Sequence, residues 1–261
     1  MGSAPHPVVV AVAAAGCVVL GGALGWYRIL PTHPPRNVVP VVNAAAHCGL
    51  HTITTTFKTD SLFVQAQLAQ WKSLNPGWDV TGYDDAEAFA YLQRNHPLWV
   101  GEFYQTIAAG PIRADVFRTF YLWDNGGAWV DIDIVPSLPI VEWGVNTSVL
   151  WVPTSHRAWL LNPTAIVACA GDATLKAACG VYRTLARLHW LRQSYHALSI
   201  VTILTTLQTA GYAVDSGARE VCPGRDRYAC LVESRTGRRL FFCRHRGWDR
   251  LAHGERVLTS T

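Results

Sequence analysis

The stretch Pro111–Asp133 reads PIRADVFRTFYLWDNGGAWVDID, and its punctuation decides the fold around it. Gly110-Pro111 opens a helix predicted over Ile112–Trp123, because proline is tolerated in a first turn, and Asn125-Gly126-Gly127 stops it. Ala128–Ile132 then reads as a short buried strand. In extended chain, residues two apart share a face, so Asp131 and Asp133 are expected to project outward while Ile132 points to the core. Like charges this close stay ionised only with a compensating cation. Hard oxygen ligands suit Mg²⁺ or Mn²⁺, which keep coordination places open for substrate phosphates. A pair of acids at a strand-to-turn boundary also occurs as a merely solvated or capping pair, so the surroundings have to carry the argument.

The preceding helix supplies them. Asp115 and Arg118 lie three apart on one helical face, with Arg113 closer to the N-terminus, where the helix dipole favours anions. The plain reading is an intrahelical surface ion pair, which contributes a few tenths of a kcal/mol by the usual ~0.3–0.5 for such pairs. The functional reading gives Asp115 and Arg118 a sugar hydroxyl and a phosphate to bind.

Working outward, Thr52–Phe57 reads as a strand and Leu62–Leu74 as a helix ended by Asn75-Pro76-Gly77. Asp79–Tyr83 follows as a second strand, and Asp84-Asp85 caps a helix over Ala86–Asn95. Strand, helix, strand, helix, helix, strand is the rhythm of an open α/β sheet, whose ligands sit at the carboxyl ends of the strands. Downstream, helical patterns cover Thr174–Arg192 and Ser199–Thr209, and Arg239–Cys243 is a possible strand in a loop-rich basic tail.

The first 30 residues differ in kind. Val8–Tyr27 runs without a charge and is long enough, at ~1.5 Å per residue, to cross a ~30 Å hydrocarbon layer. A cleaved signal peptide would need a cationic start, and residues 1–7 hold no Lys or Arg, so a transmembrane signal anchor over 1–30 is expected. Proline-rich residues 31–49 then read as a stem and 50–261 as the folded domain. Arg28 and Arg36 flank the apolar run on its C-terminal side, which by the positive-inside rule would keep that domain cytoplasmic.

Of seven cysteines, six follow the apolar run: Cys48, Cys169, Cys179, Cys222, Cys230 and Cys243. A lumenal domain would pair them, and a cytosolic one would keep buried thiols. No C-x-x-C spacing supports structural zinc. Residues 219–256 hold ten Arg against five acids, a basic tail suited to phosphates, a nucleotide or a solvated surface. No nucleic-acid-binding motif, P-loop, G-x-G-x-x-G or Ser-His-Asp grouping is present, so no nucleic acid is expected as partner.

The combination Arg113-Ala114-Asp115, Arg118, Tyr121-Leu122, Gly126-Gly127 and Asp131-Ile132-Asp133 resembles the signature of glycosyltransferase family 32. That family comprises DXD sugar transferases, including fungal α-1,6-mannosyltransferases and mannosyl-inositol-phosphorylceramide synthases. Upstream, Trp71–Trp78 and Tyr83-Asp84-Asp85 extend the likeness, so that it spans roughly Thr56–Pro139. The resemblance implies a GT-A-like single Rossmann-type domain with a mixed sheet, behind the transmembrane helix. It further implies a UDP- or GDP-sugar donor, Mn²⁺ or Mg²⁺ on Asp131 and Asp133, and hexose transfer with retention to a glycan or lipid-linked acceptor. Positions matching Asp115 and Arg118 contact the donor sugar in related enzymes, and Arg113 would assist with phosphate.

Near the C-terminus the family shows a His followed by Trp, for which His245 with Trp248 is the best match and His253 the alternative. Thr54-Thr55 stands where the family has His-Gln under the nucleotide, and Ser199-Ile200-Val201 stands where it has Thr-Gly-Pro. Asn162 either lines the cleft or makes a turn before Pro163. The resemblance also implies a single-pass Golgi or ER protein with a lumenal domain, where Asn146-Thr147-Ser148 would be a glycosylation acceptor. The rivals are a nucleotide-sugar hydrolase or metal phosphoesterase using the same aspartates, and a catalytically silent glycan- or lipid-binding membrane protein.

Overall fold

The computed structural model describes residues 48, 50–59, 61–145, 149–155, 160–188, 194–221 and 229–244. The apolar segment 8–27, the sequon at 146–148, and His245, Trp248 and His253 lie outside them. Among the described residues no helix is long and apolar enough to cross a membrane.

The chain opens with β1 (Thr52–Thr56), α1 (Leu62–Leu74) and β2 (Asp79–Tyr83), three elements set by local chemistry. Ser61 caps α1 by accepting from Val64 N. Asn75 closes it, donating to Trp71 O at 3.0 Å and accepting from Ile140 N at 2.8 Å, which ties α1 to the loop beyond the acidic turn. Asp84 starts α2 (Asp85–Asn95) with a reciprocal capping box to Glu87. Next come α3 (Leu98–Thr106), α4 (Gly110–Asn125) and β3 (Gly127–Val130).

The helix α3 has no counterpart in the sequence reading. It starts after Pro97 without a side-chain cap, but Val100, Phe103 and Tyr104 are buried at helical spacing, so tertiary packing holds it. Gly126 and Gly127 adopt φ of 65° and 99°, and a side chain on either would collide with Ala170 or Thr52. That close approach seats the start of β3 beside the start of β1.

The second half adds β4 (Ile134–Pro136), β5 (Leu150–Trp151), β6 (Ala165–Ala168), α5 (Ala173–Arg187), α6 (Tyr195–Leu198), α7 (Ile200–Thr209), β7 (Val214–Asp215), β8 (Ala218–Val221), β9 (Ala229–Ser234) and β10 (Arg239–Arg244). One sheet is six-stranded and mixed, in the order β2-β1-β3-β6-β5-β7, with β1 parallel to both β2 and β3 and with β6 antiparallel to β3. The other is four-stranded and antiparallel, in the order β4-β10-β9-β8.

Two apolar layers fill the faces of the mixed sheet, and strand alternation sorts residues between them. Trp129 and Ile166 join the layer under α2 to α5 and α7, whereas Ala128, Val130 and Val167 join the layer containing Trp71 of α1 and Val232 and Phe241 of the second sheet. The sheet is mixed and covered by helices, the α/β architecture that the alternation of elements predicts.

Cys48, in the stem segment, is disulfide-bonded to Cys169 across 121 residues, with Cα atoms 5.5 Å apart. Since Ala168 pairs with Gly127, the bond sits near the amino end of β3, away from Asp131. Cys230 is also disulfide-bonded, and Cys179 is a buried free thiol.

Candidate functional site

Nearly every side of α4 is covered, so Asp115 and Arg118 are 5% and 4% exposed, not surface residues. Arg118 Nη2 meets Asp115 Oδ1 at 3.1 Å, and Nη1 meets Asp131 Oδ1 at 3.2 Å. Nη1 also donates to the carbonyl of Pro163, and the guanidinium lies 4.7 Å from the centre of the Trp129 ring. Asp131 Oδ1 accepts a second hydrogen bond from Trp129 Nε1 at 2.9 Å. Asp115 Oδ2 accepts from Ile200 N at 3.1 Å, at the start of α7. The i,i+3 pair expected from the helix therefore exists, but as the centre of a buried network.

Burial pushes the Asp115 carboxyl up to about 6, against the downward pull of Arg118 and of the Ile200 N–H. A buried charge pair pays a large desolvation cost, which extra hydrogen bonds must offset. Here Pro163, Ile200 and Trp129 provide them. Asn162 makes a turn, its Oδ1 accepting from Thr164 N at 3.2 Å, and that turn presents the Pro163 carbonyl to Arg118.

Asp131 and Asp133 differ from expectation in backbone. The strand ends at Val130, and Asp131-Ile132-Asp133 forms a turn in which Ile134 N donates to Asp131 O at 3.1 Å. Strand alternation therefore does not set their directions, and Ile132 is half-buried, as are both acids. Asp131 N donates to Thr164 O at 2.8 Å, and β4 starts at Ile134, which pairs with Cys243 of β10. The turn is thus anchored to β6's approach on one side and to the C-terminal strand on the other.

Arg113 is turned elsewhere. Its Nη1 pairs with Asp85 at 2.9 Å and its Nε donates to Ile107 O at 2.7 Å, linking α4 to α2 and to the end of α3. In the basic tail, Arg235 pairs with Asp215 and Arg238 with Glu142, so these two charges are met at the surface of the second sheet. Thr54 and Thr55 are buried within β1.

Tyr195, absent from the sequence reading, stands half-exposed at the start of α6. Burial pushes its hydroxyl up, and Asp115, Arg118 and Asp131 act on it electrostatically. Its sequence neighbourhood carries no motif, so only the fold reveals it.

Among the described residues no three His, Cys, Asp or Glu side chains are grouped to hold a metal ion. The Asp131–Asp133 turn offers hard carboxylate oxygens, and with Asp131 Oδ1 already engaged by Arg118 and Trp129, a Mg²⁺ or Mn²⁺ there would rest on Asp131 Oδ2, on Asp133 and on ligands from outside the chain. An open groove of about 640 Å³ between α1, β1 and β2, lined in part by Thr52, Lys72 and Asp79, lies at the opposite strand ends.

The solved structure named PaToxG Glycosyltransferase aligns with 78% of this chain and 77% of its own, at 12% identity and a TM-score of 0.45. No curated protein matches the chain. Residues 63–150 match the family model described as glycosyltransferase sugar-binding region containing DXD motif. The matched segment holds Asp115, Arg118, Asp131 and Asp133, and it supports a glycosyltransferase, broadly defined, as what this chain encodes.

Proposed function

We propose that the protein transfers a hexose from a UDP- or GDP-sugar to a glycan or lipid-linked acceptor, with retention, in a divalent-metal-dependent reaction. The observation that carries this reading is the buried Asp115–Arg118–Asp131 network beside the Asp133 turn, inside the segment that matches the sugar-binding family. Asp133 and Asp131 would hold the metal. Held there, Mg²⁺ or Mn²⁺ would supply positive charge to offset the charge that develops on a leaving nucleoside diphosphate.

Arg118 keeps positive charge next to Asp131 and fixes its carboxylate. Asp115, buried with both oxygens engaged, holds Arg118 and the start of α7, and through them would set the shape of the donor-sugar subsite. Arg113, engaged with Asp85, braces α4 against α2. Because β10 runs beside β4, the chain enters its last residues next to the acidic turn, which favours His245 as a further metal or phosphate contact and Trp248 as a lid over the donor.

The Cys48–Cys169 bond and the bonded Cys230 favour an oxidising compartment. We place the domain in the Golgi or ER lumen, anchored by residues 1–30 in the membrane. Incubating UDP- and GDP-sugars with Mn²⁺, with and without glycan and glycolipid acceptors, tests the reading. Sugar transfer is the expected result. Hydrolysis alone would make the protein a nucleotide-sugar hydrolase, and no turnover would leave a silent binding protein.

A further inference from the structure

We propose that Trp129 is a positioning residue that aims the Asp131 carboxylate at the divalent cation, a role that rests on the metal-dependent reading above. The ring is 1% exposed and sits in β3 with its backbone held on both sides, opposite Thr54 of β1 and Ile166 of β6. A core position asks only for volume. This one also delivers a donor: the indole N–H reaches Asp131 Oδ1 at 2.9 Å, the same oxygen that Arg118 Nη1 meets at 3.2 Å.

The ring face does a second thing. Arg118 lies over it at 4.7 Å, so one side chain orients the guanidinium by stacking and the carboxylate by hydrogen bonding. With Oδ1 taken by two donors from the protein interior, ligation of a cation falls to Oδ2. A carboxylate released from the indole regains rotation about its last bond at the edge of a turn, and the ordering must then be supplied when the cation binds. Hydrogen-bond partners that orient metal ligands typically contribute about 10–100-fold in affinity.

The test uses the full-length chain in detergent, with Mn²⁺ binding followed by loss of the free-ion electron paramagnetic resonance signal in the presence of UDP or GDP. Two replacements are compared with the parent: Trp129→Phe, and site-specific benzothienylalanine at 129, which keeps the indole shape and lacks the N–H. About tenfold weaker Mn²⁺ binding in the benzothienylalanine protein, with thermal unfolding unchanged, is the expected result. Mn²⁺ binding equal to or tighter than the parent's in that protein overturns the proposal and leaves Trp129 a core residue. If Trp129→Phe fails to fold, the shape-conserving replacement decides alone. A parent that takes up no Mn²⁺ with either nucleotide overturns the metal reading itself, and the role of Trp129 with it.

Discussion

The backbone N–H of Ile200 reaches Asp115 Oδ2 at 3.1 Å across 85 residues of sequence. The other oxygen of Asp115 holds Arg118, so a single buried carboxylate couples the start of α7 to the residue that pins Asp131. The consequences can be measured one residue at a time.

Asp115 gives a pH signature. Its carboxyl is raised from 3.8 to about 6 in the folded chain, chiefly by burial, so between those values the native state binds more protons than the unfolded state. Its contribution to stability is therefore greatest below the unfolded value and falls as pH rises to about 6, by on the order of 3 kcal/mol in total. Urea unfolding at several pH values should show the parent losing ground to Asp115→Asn across that window and running parallel to it above. Parallel curves throughout would mean that Asp115 titrates normally.

Arg118→Lys should destabilise the protein by about 2–4 kcal/mol. A lysine ammonium cannot reach both carboxylates and the Pro163 carbonyl while stacking on Trp129, and it leaves buried charge poorly compensated. Chemical denaturation checks this. A loss under ~1 kcal/mol would be what a surface ion pair costs.

Asp133→Ala is expected to abolish sugar transfer while shifting stability by no more than about 1 kcal/mol. The residue is half-buried on a turn, so its removal opens no large cavity. Circular dichroism melting together with the transfer assay separates the two effects. Unchanged turnover in the folded variant would remove Asp133 from the metal site.

Cys48→Ser should lower stability by about 2–4 kcal/mol, because the lost bond closes a long loop in the unfolded chain. Cys179→Ala, by contrast, should leave the disulfides intact, since its thiol is free. Mass spectrometry of non-reduced peptides and denaturant titration check both. A Cys48→Ser protein as stable as the parent would mean that the stem does not depend on its tether.

Local order was legible wherever a short-range device dictates it. Asn75-Pro76-Gly77 ends α1 at the expected residue, Asp84 caps α2, and Gly126-Gly127 ends α4 where no side chain could fit. The α/β alternation that follows from them, and the acidic pair that it leaves at the end of β3, needed no coordinates.

What only the folded chain decided involves partners far apart in sequence. Periodicity cannot pair β4 with β10, nor hold an uncapped α3 in place, because both depend on surfaces assembled late in the chain. The turn at Asp131–Asp133 replaced the expected strand end because β4 leaves at once to join a different sheet. Spacing alone allowed Asp115 and Arg118 to be an exposed ion pair or a buried one. The choice was made by desolvation: helices α5 and α7 close over α4, and a buried arginine must then find Asp131, Pro163 and the Trp129 ring, while its partner Asp115 finds the N–H of Ile200.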